Sequence, residues 1–162
     1  MRGATFAKDR NTGFTAKLNA TLGVAIISLF CGSCAPPEPI RIGFVSGASG
    51  RVADLGIVGR NGAQLAVELR NRAGGVAGRP VELIIRDDEQ DPEIAERVMR
   101  ELIVLGVVAI VGPMTSAMAV RMAPIANEAK VLLISPTVTT NSLADLDDYF
   151  FRTVAATRNI AA

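Results

Sequence analysis

Residues 107–134 read VVAIVGPMTSAMAVRMAPIANEAKVLLI. The stretch opens on an apolar run, 107–111, with no polar alternation, the pattern of a strand buried on both faces. Gly112-Pro113-Met114-Thr115-Ser116 follows as loop chemistry. From about Ser116 to Glu128 small and apolar residues predict a helix, which Pro124 should kink or divide. A second apolar run, 131–134, predicts another buried strand. Two such strands joined through a helix are a parallel βαβ unit, because a parallel partner can be reached only by a crossover connection.

The same alternation continues on both sides. Toward the N-terminus, Pro92 sits where a helix begins, and Ile94, Val98, Met99, Leu102 and Leu105 form its apolar stripe. Before it, residues 81–85 predict a strand closed by Arg86-Asp87-Asp88. Residues 54–72 carry Val58, Leu65, Ala66 and Leu69 at helical spacing, with Arg60, Gln64, Glu68 and Arg70 on other faces, and Gly74-Gly75 ends that helix as a C-cap. Residues 40–45 form a β-rich run that gives way to Ser46-Gly47-Ala48-Ser49-Gly50. Toward the C-terminus a polar loop, 135–142, precedes a fifth β-like stretch at 149–153. The expected fold class is α/β: a Rossmann-like parallel sheet with helices on both faces. In such sheets a ligand sits beyond the carboxyl ends of the strands, here the loops 46–56, 87–92, 112–117 and 135–142.

Composition narrows the chemistry. Of 162 residues, 49% are hydrophobic and 20% charged, and the formal net charge is +1, so the chain is globular and has no basic surplus with which to hold nucleic acid. It has no His, which removes a Ser-His-Asp triad, a His general base and a His-ligated metal. Its two cysteines, Cys31 and Cys34, precede the expected folded region, which therefore holds no thiol nucleophile. No cofactor is implied, and no enzyme mechanism can be assembled.

The first 34 residues read as an export signal. Arg2, Lys8, Arg10 and Lys17 precede LNATLGVAIISLF at 18–30, an apolar run shorter than the ~20 residues of a membrane-spanning helix. Cys31-Gly32-Ser33-Cys34 closes it in the manner of a lipobox, with Cys34 the expected site of lipidation because small Gly32 and Ser33 precede it. Cys31 stands where an aliphatic residue is usual, and cleavage without lipidation is the alternative. The Pro-rich residues 35–39 are then an extended tether.

Three clusters compete for a functional role. Gly47-Ala48-Ser49-Gly50 matches neither G-x-G-x-x-G nor a P-loop and reads as a tight strand-to-helix turn. Asp87-Asp88-Glu89 reads as a solvated turn at a helix N-terminus, where negative charge is favoured. The third is Thr115-Ser116 together with Thr137, Thr139 and Thr140. Each group lies just past a buried strand and the first opens a helix, an arrangement suited to a carboxylate. The plainer alternative is that Thr115 or Ser116 is an N-cap worth about 1 kcal/mol.

Four stretches carry a family resemblance: IRIGFVSGASGRVADLG at 40–56, NGAQLAVELRNRAGGVAGRPVELIIRDDEQDPEIA at 61–95, AIVGPMTSAMAVRMAPIANEAKVLLISPTVTTNSL at 109–143 and YFFRTV at 149–154. In this order they resemble the first lobe of the branched-chain amino-acid (Leu/Ile/Val-type) periplasmic binding proteins, the receptors of ABC importers, which have the type I periplasmic-binding fold. The resemblance implies an amino-acid or related ligand, importer permease subunits as partners, a place on the extracytoplasmic face of the membrane, and residues 40–162 as an N-terminal lobe. It implies that Ser116 donates its hydroxyl to the ligand carboxylate, with Thr115 beside it. Thr139 is a second polar contact, and the backbone near Thr137 and Val138 completes the cradle. Leu55 takes the place where members often set an aromatic against the ligand side chain. Members have two lobes that close over the ligand. The second lobe and its acidic group are expected to be missing here, leaving half a site. A lobe that keeps the fold for interaction or regulation rather than transport is the alternative.

Overall fold

The structure, a computed structural model, describes residues 36–160. The expected export signal, with Cys31 and Cys34, lies outside the described residues. Among the described residues five strands and four α-helices alternate: β1 (Ile40–Ser46), α1 (Ala53–Arg72), β2 (Val81–Asp87), α2 (Pro92–Val104), β3 (Ala109–Val111), α3 (Ser116–Ala129), β4 (Leu132–Ser135), a 3-10 turn (Asn141–Leu143), β5 (Phe150–Arg152) and α4 (Thr157–Ile160). The strands form one parallel sheet in the order β2-β1-β3-β4-β5. The chain winds outward one way from β1 to β2, then crosses back to β3 and continues the other way. The switch point therefore lies between β1 and β3, and a crevice opens beyond their carboxyl ends.

The register fixes which residues share a face. Gly43 pairs with both Ile84 and Ile110, Ile110 with Leu133, and Leu133 with Phe150. A Cβ at Gly43 would meet Leu102, so this row faces α2. With Val98, Met99 and Leu102 of α2 and Met118, Met122 and Ile125 of α3 it forms the buried core. Four of the five positions of the expected α2 stripe pack there, fully or in part, while Leu105, just past the helix, is exposed. Asp91 caps α2, its side chain accepting from the backbone N–H groups of Glu93 and Ile94 at 2.8 and 3.1 Å. Pro124 lies within an α3 assigned as one helix. It and Val120, whose carbonyl loses its partner to the proline, are exposed, so water can take that bond.

Two expectations need correction. The α1 stripe Val58, Leu65, Ala66 and Leu69 is exposed, not buried. The face turned to the sheet carries Gly56 and Gly59, and the approach there is too close for larger residues: a Cβ at Gly56 would stand 2.1 Å from the Gly47 carbonyl oxygen, and one at Gly59 3.0 Å from the Met114 methyl. β3 is shorter than the run 107–111, and it is not buried on both sides. Ile110 is enclosed, but Ala109 and Val111 on the α1 side are half-buried, as are Leu132 and Ile134 of β4. α1 lies over β1 and β2, and among the described residues no helix covers β3 to β5 on that side.

The end of the proline-rich segment, expected as a tether, is held against the folded part. Arg79 donates from Nε to the Glu38 carbonyl at 2.9 Å and from its guanidinium to the Pro39 carbonyl at 3.4 Å.

Candidate functional site

The carboxyl edge of the sheet is built by side chains that bolt one loop to the next. Between the β1–α1 and β2–α2 loops, the Asp87 carboxylate accepts from the N–H groups of Ala48 (2.9 Å) and Glu89 (2.8 Å), and Gln90 donates from its side chain to the Ser49 carbonyl at 2.5 Å. Asp88 is buried and accepts from the Gln90 N–H at 2.9 Å. Asp87 and Asp88 thus form a brace, and of the cluster expected as a solvated turn Glu89 alone is exposed. The charge of the brace is turned onto backbone donors, which a run of three acids in sequence does not reveal.

Burial raises the Asp88 pKa above 3.8, opposed by the Gln90 N–H and reinforced by the neighbouring Asp87 charge. A folded-state value above the unfolded one means that the native protein holds the proton longer. The Asp88 contribution is therefore most favourable at low pH and is lost as pH rises from about 3.8 through the folded-state value. Asp88→Asn keeps an oxygen for Gln90 and is expected to flatten this part of the stability–pH profile while leaving neutral-pH stability equal or higher. Urea melts across acid to neutral pH check it; an unchanged profile would remove Asp88 as its source.

Between the β3–α3 and β4 loops the bolts are two hydroxyls. Ser135, buried, donates to the Pro113 carbonyl at 2.7 Å and accepts from the N–H groups of Val138 at 3.1 Å and Thr137 at 3.4 Å. Thr137 donates to the Met114 carbonyl at 2.7 Å. These bonds hold Thr115 and Ser116 on one loop in fixed relation to Thr139 on the other.

The predicted site residues divide accordingly. Thr115 occupies the N-cap position of α3, yet its hydroxyl caps nothing. Ser116 is the first residue of α3, and its hydroxyl, like that of Thr139, has no hydrogen-bond partner among the described residues. The N–H groups of Ser116, Ala117 and Met118 likewise donate to nothing there, the first bond of the helix being Ala119 N–H to the Thr115 carbonyl at 3.1 Å. These three hydroxyls and three amides form the part of the edge available to an anion. Thr137 and Val138 are different. Their amides are spent on Ser135, the Thr137 hydroxyl on Met114, and Val138 is buried in the core, so of that stretch only the half-buried Thr137 backbone carbonyl is left to face a ligand. Thr140 is also committed, capping the 3-10 turn through the Ser142 N–H. Leu55 stands in the first turn of α1, exposed, next in sequence to the buried Gly56.

Sequence reasoning passed over Ser135 and misread Asp87 as part of a solvated turn. A serine ending an apolar strand carries no signal of its role. Asp87 had one in the adjacency of Asp and Asp at the carboxyl end of β2, facing the Ser/Gly loop across the sheet edge. The concavities elsewhere are of another character. The groove between α2 and α3, about 290 Å³, is lined by Glu96, Arg100, Arg121, Pro124 and Glu128, with Arg121 and Glu96 paired.

A doubly wound α/β lobe with unspent hydroxyls and helix-terminal amides at its switch point belongs to the class of sheet proteins that bind small ligands at the carboxyl edge. Comparison with known proteins makes the class specific. Residues 39–162 match the periplasmic binding protein family, and the chain belongs to it. The Leu/Ile/Val-binding protein BraC3 of Rhizobium johnstonii is 35% identical over 104 residues, 64% of this chain and 28% of that protein. The leucine-, isoleucine-, valine-, threonine- and alanine-binding protein of Pseudomonas aeruginosa is 32% identical over 125 residues, 77% of this chain and 34% of that one. Among solved structures, the branched-chain amino-acid transporter substrate-binding protein LivJ of Streptococcus pneumoniae, in complex with isoleucine, superposes with a TM-score of 0.70 at 36% identity, over 74% of this chain and 34% of that chain. The chain thus spans about a third of the length of these relatives. The α/β class and the parallel sheet expected from sequence are those of the family.

Proposed function

We propose that the chain is the first lobe of an extracytoplasmic receptor for amino acids of the branched-chain or a related type, passing its ligand to the permease of an ABC importer. The observation that carries this reading is the pair of bolted loops presenting unspent donors from Thr115, Ser116 and Thr139 at the switch point. The α-carboxylate takes the Ser116 hydroxyl and the first-turn amides of α3, where the helix dipole also favours it. Thr139 and the Thr137 carbonyl face the ammonium, and Leu55 stands at the rim, where a ligand extending past the start of α1 would meet it. Relatives that bind leucine, isoleucine and valine by name support the ligand class. Residues 1–34 as an export signal with Cys34 lipidated, and 35–39 as the tether, complete the reading.

Thr115, Ser116 and Thr139 are only half-buried, so water reaches this edge, and hydrogen bonds to a carboxylate there gain little over those to solvent. Binding is therefore expected to be weak and centred on α3. NMR titration of the isotopically labelled chain with leucine, isoleucine or valine should move the amides of residues 115–118 and 139 together. Ser116→Ala removes one hydrogen bond at this water-accessible edge, worth about 0.5–1.5 kcal/mol, and should weaken binding about two- to tenfold. Saturating amino acid that leaves these amides in place would overturn the site assignment.

A further inference from the structure

The loop that carries Thr139 is held at both ends by side chains. Arg152 closes β5, and the register sets it opposite Ser135, the last residue of β4. The Thr153 N–H donates to the Ser135 carbonyl at 3.1 Å and ties the two strand ends together. Ser135 takes the start of the loop, at the Thr137 and Val138 amides. Arg152 takes its end. One terminal nitrogen of the guanidinium donates to the Thr140 carbonyl at 2.7 Å and the other to the Leu143 carbonyl at 2.6 Å. Thr157 adds two bonds to the Thr139 carbonyl, from its N–H at 2.8 Å and its hydroxyl at 2.9 Å. The guanidinium stands 5.6 Å from the ring centroid of the buried Phe150, two residues back on the same face of β5, a cation–π contact that keeps the fork in place. Among the described residues Arg152 pairs with no carboxylate, so its charge is spent on this loop.

We propose that Arg152, with Thr157, is a positioning residue for amino-acid capture, fixing the Thr139 hydroxyl where the ammonium of a ligand held at α3 arrives. The proposal rests on the reading of this edge as an amino-acid site. Thr139 lies between the two holds. The N–H before it goes to Ser135, its own carbonyl to Thr157 and the carbonyl after it to Arg152, while its hydroxyl has no partner among the described residues. Residues 137–140 belong to neither strand nor helix, so without these bonds their carbonyls would turn to water and carry Thr139 with them. A free hydroxyl on a pinned backbone is what a preorganised contact needs, since the loop then gives up little freedom when the ligand arrives. The residue type matters. Arginine presents its N–H donors in one rigid plane and meets two carbonyls at once, whereas the lysine ammonium is a point charge on a flexible stem.

Arg152→Lys keeps the charge and most of the stem and removes the fork. In the ligand-free, isotopically labelled full chain it should shift the amide resonances of residues 139–143 and leave those of 115–118 in place. Titration with two probes then separates positioning from folding: leucine, and 4-methylpentanoate, which is leucine without its amino group. The variant should bind leucine about two- to tenfold more weakly, the worth of one hydrogen bond at a water-accessible edge, with 4-methylpentanoate binding unchanged. Thr157→Val, at an exposed position, removes one of the two bonds to the Thr139 carbonyl and should give the same split to a smaller extent, whether or not Arg152→Lys folds. Equal weakening of both probes overturns the proposal, because a loosened fold would cost both alike. Leucine binding that both variants leave intact overturns it alone. A parent chain that binds no leucine overturns the amino-acid reading and this proposal together.

Discussion

Gly112→Ala is expected to lower stability by about 4 kcal/mol, a large part of the ~5–15 kcal/mol that a domain has. Gly112 follows β3 with φ +114°, a region L side chains rarely enter, and holding alanine there costs about 1–3 kcal/mol. The new Cβ would also lie 2.0 Å from the Val45 carbonyl oxygen and 3.0 Å from its carbon. The atoms in the way are the backbone of β1 in the middle of the sheet, not the end of a side chain that could turn aside. Retreat is blocked on the other side, because the Gly112 N–H donates to the Ile134 carbonyl at 2.8 Å and keeps this residue in the ladder with β4. Overpacking therefore adds about 1–3 kcal/mol to the dihedral cost. In urea the midpoint should fall by about 2 M, taking a slope of 1–3 kcal/mol per molar for a domain of this size. Gly62→Ala sets the contrast. It stands in the middle of α1 with open space around it, and alanine there should stabilise by about 0.5–1 kcal/mol. A Gly112→Ala chain that melts with the parent would show that β1 and the β3–α3 loop do not approach as described.

The sheet was legible because its strands are apolar runs bounded by Gly, Pro and hydroxyl residues, a signal independent of what packs on them. Every strand and the three long helices appear within about two residues of where the pattern puts them. What periodicity could not say is which surface an apolar stripe meets. On α2 the stripe meets the core. On α1 an equally regular stripe points outward, since the helix reaches the sheet through glycines, which carry no hydrophobic signal. Strand-by-strand reading also misses the α1 side of β3 to β5, where Val111 and Ile134 have the composition of a buried sheet and only half the burial. The site was legible as to its loops, because the switch point follows from strand order alone. It was not legible as to donors. Thr115, Ser116, Thr137, Val138, Thr139 and Thr140 form one hydroxyl-rich set in sequence, and hydrogen bonding splits them into groups already committed and groups still free. That division depends on Ser135 and Met114, whose roles exist only once the two loops are side by side.

Ser135→Ala tests that division. Its hydroxyl is the single group that both donates across to the β3–α3 loop, at the Pro113 carbonyl, and accepts from its own loop, at the Val138 and Thr137 amides. Alanine fits the space, so no clash is introduced. It strands a carbonyl on the fully buried Pro113 and an N–H on the fully buried Val138. Each buried group left unpaired costs about 1–3 kcal/mol, so a loss of about 2–4 kcal/mol is expected. Thr137→Val removes the neighbouring bolt at the Met114 carbonyl while preserving shape, and at this half-buried position should cost about 1 kcal/mol. Because both bonds join the same two loops, the second lost adds less than it costs alone. A double-mutant cycle should return a coupling of about 0.5–1 kcal/mol. Strict additivity would mean the two bolts act on separate structures. The ligand readout should then follow the loops rather than the donors. Neither variant touches Ser116 or Thr139, yet each releases the geometry that sets one opposite the other. Amino-acid binding should weaken in Ser135→Ala more than in Thr137→Val, and the amides of 115–118 and 139 should no longer shift in step. Unimpaired binding in a destabilised Ser135→Ala chain would assign the bolts to folding alone and leave the site to α3 by itself.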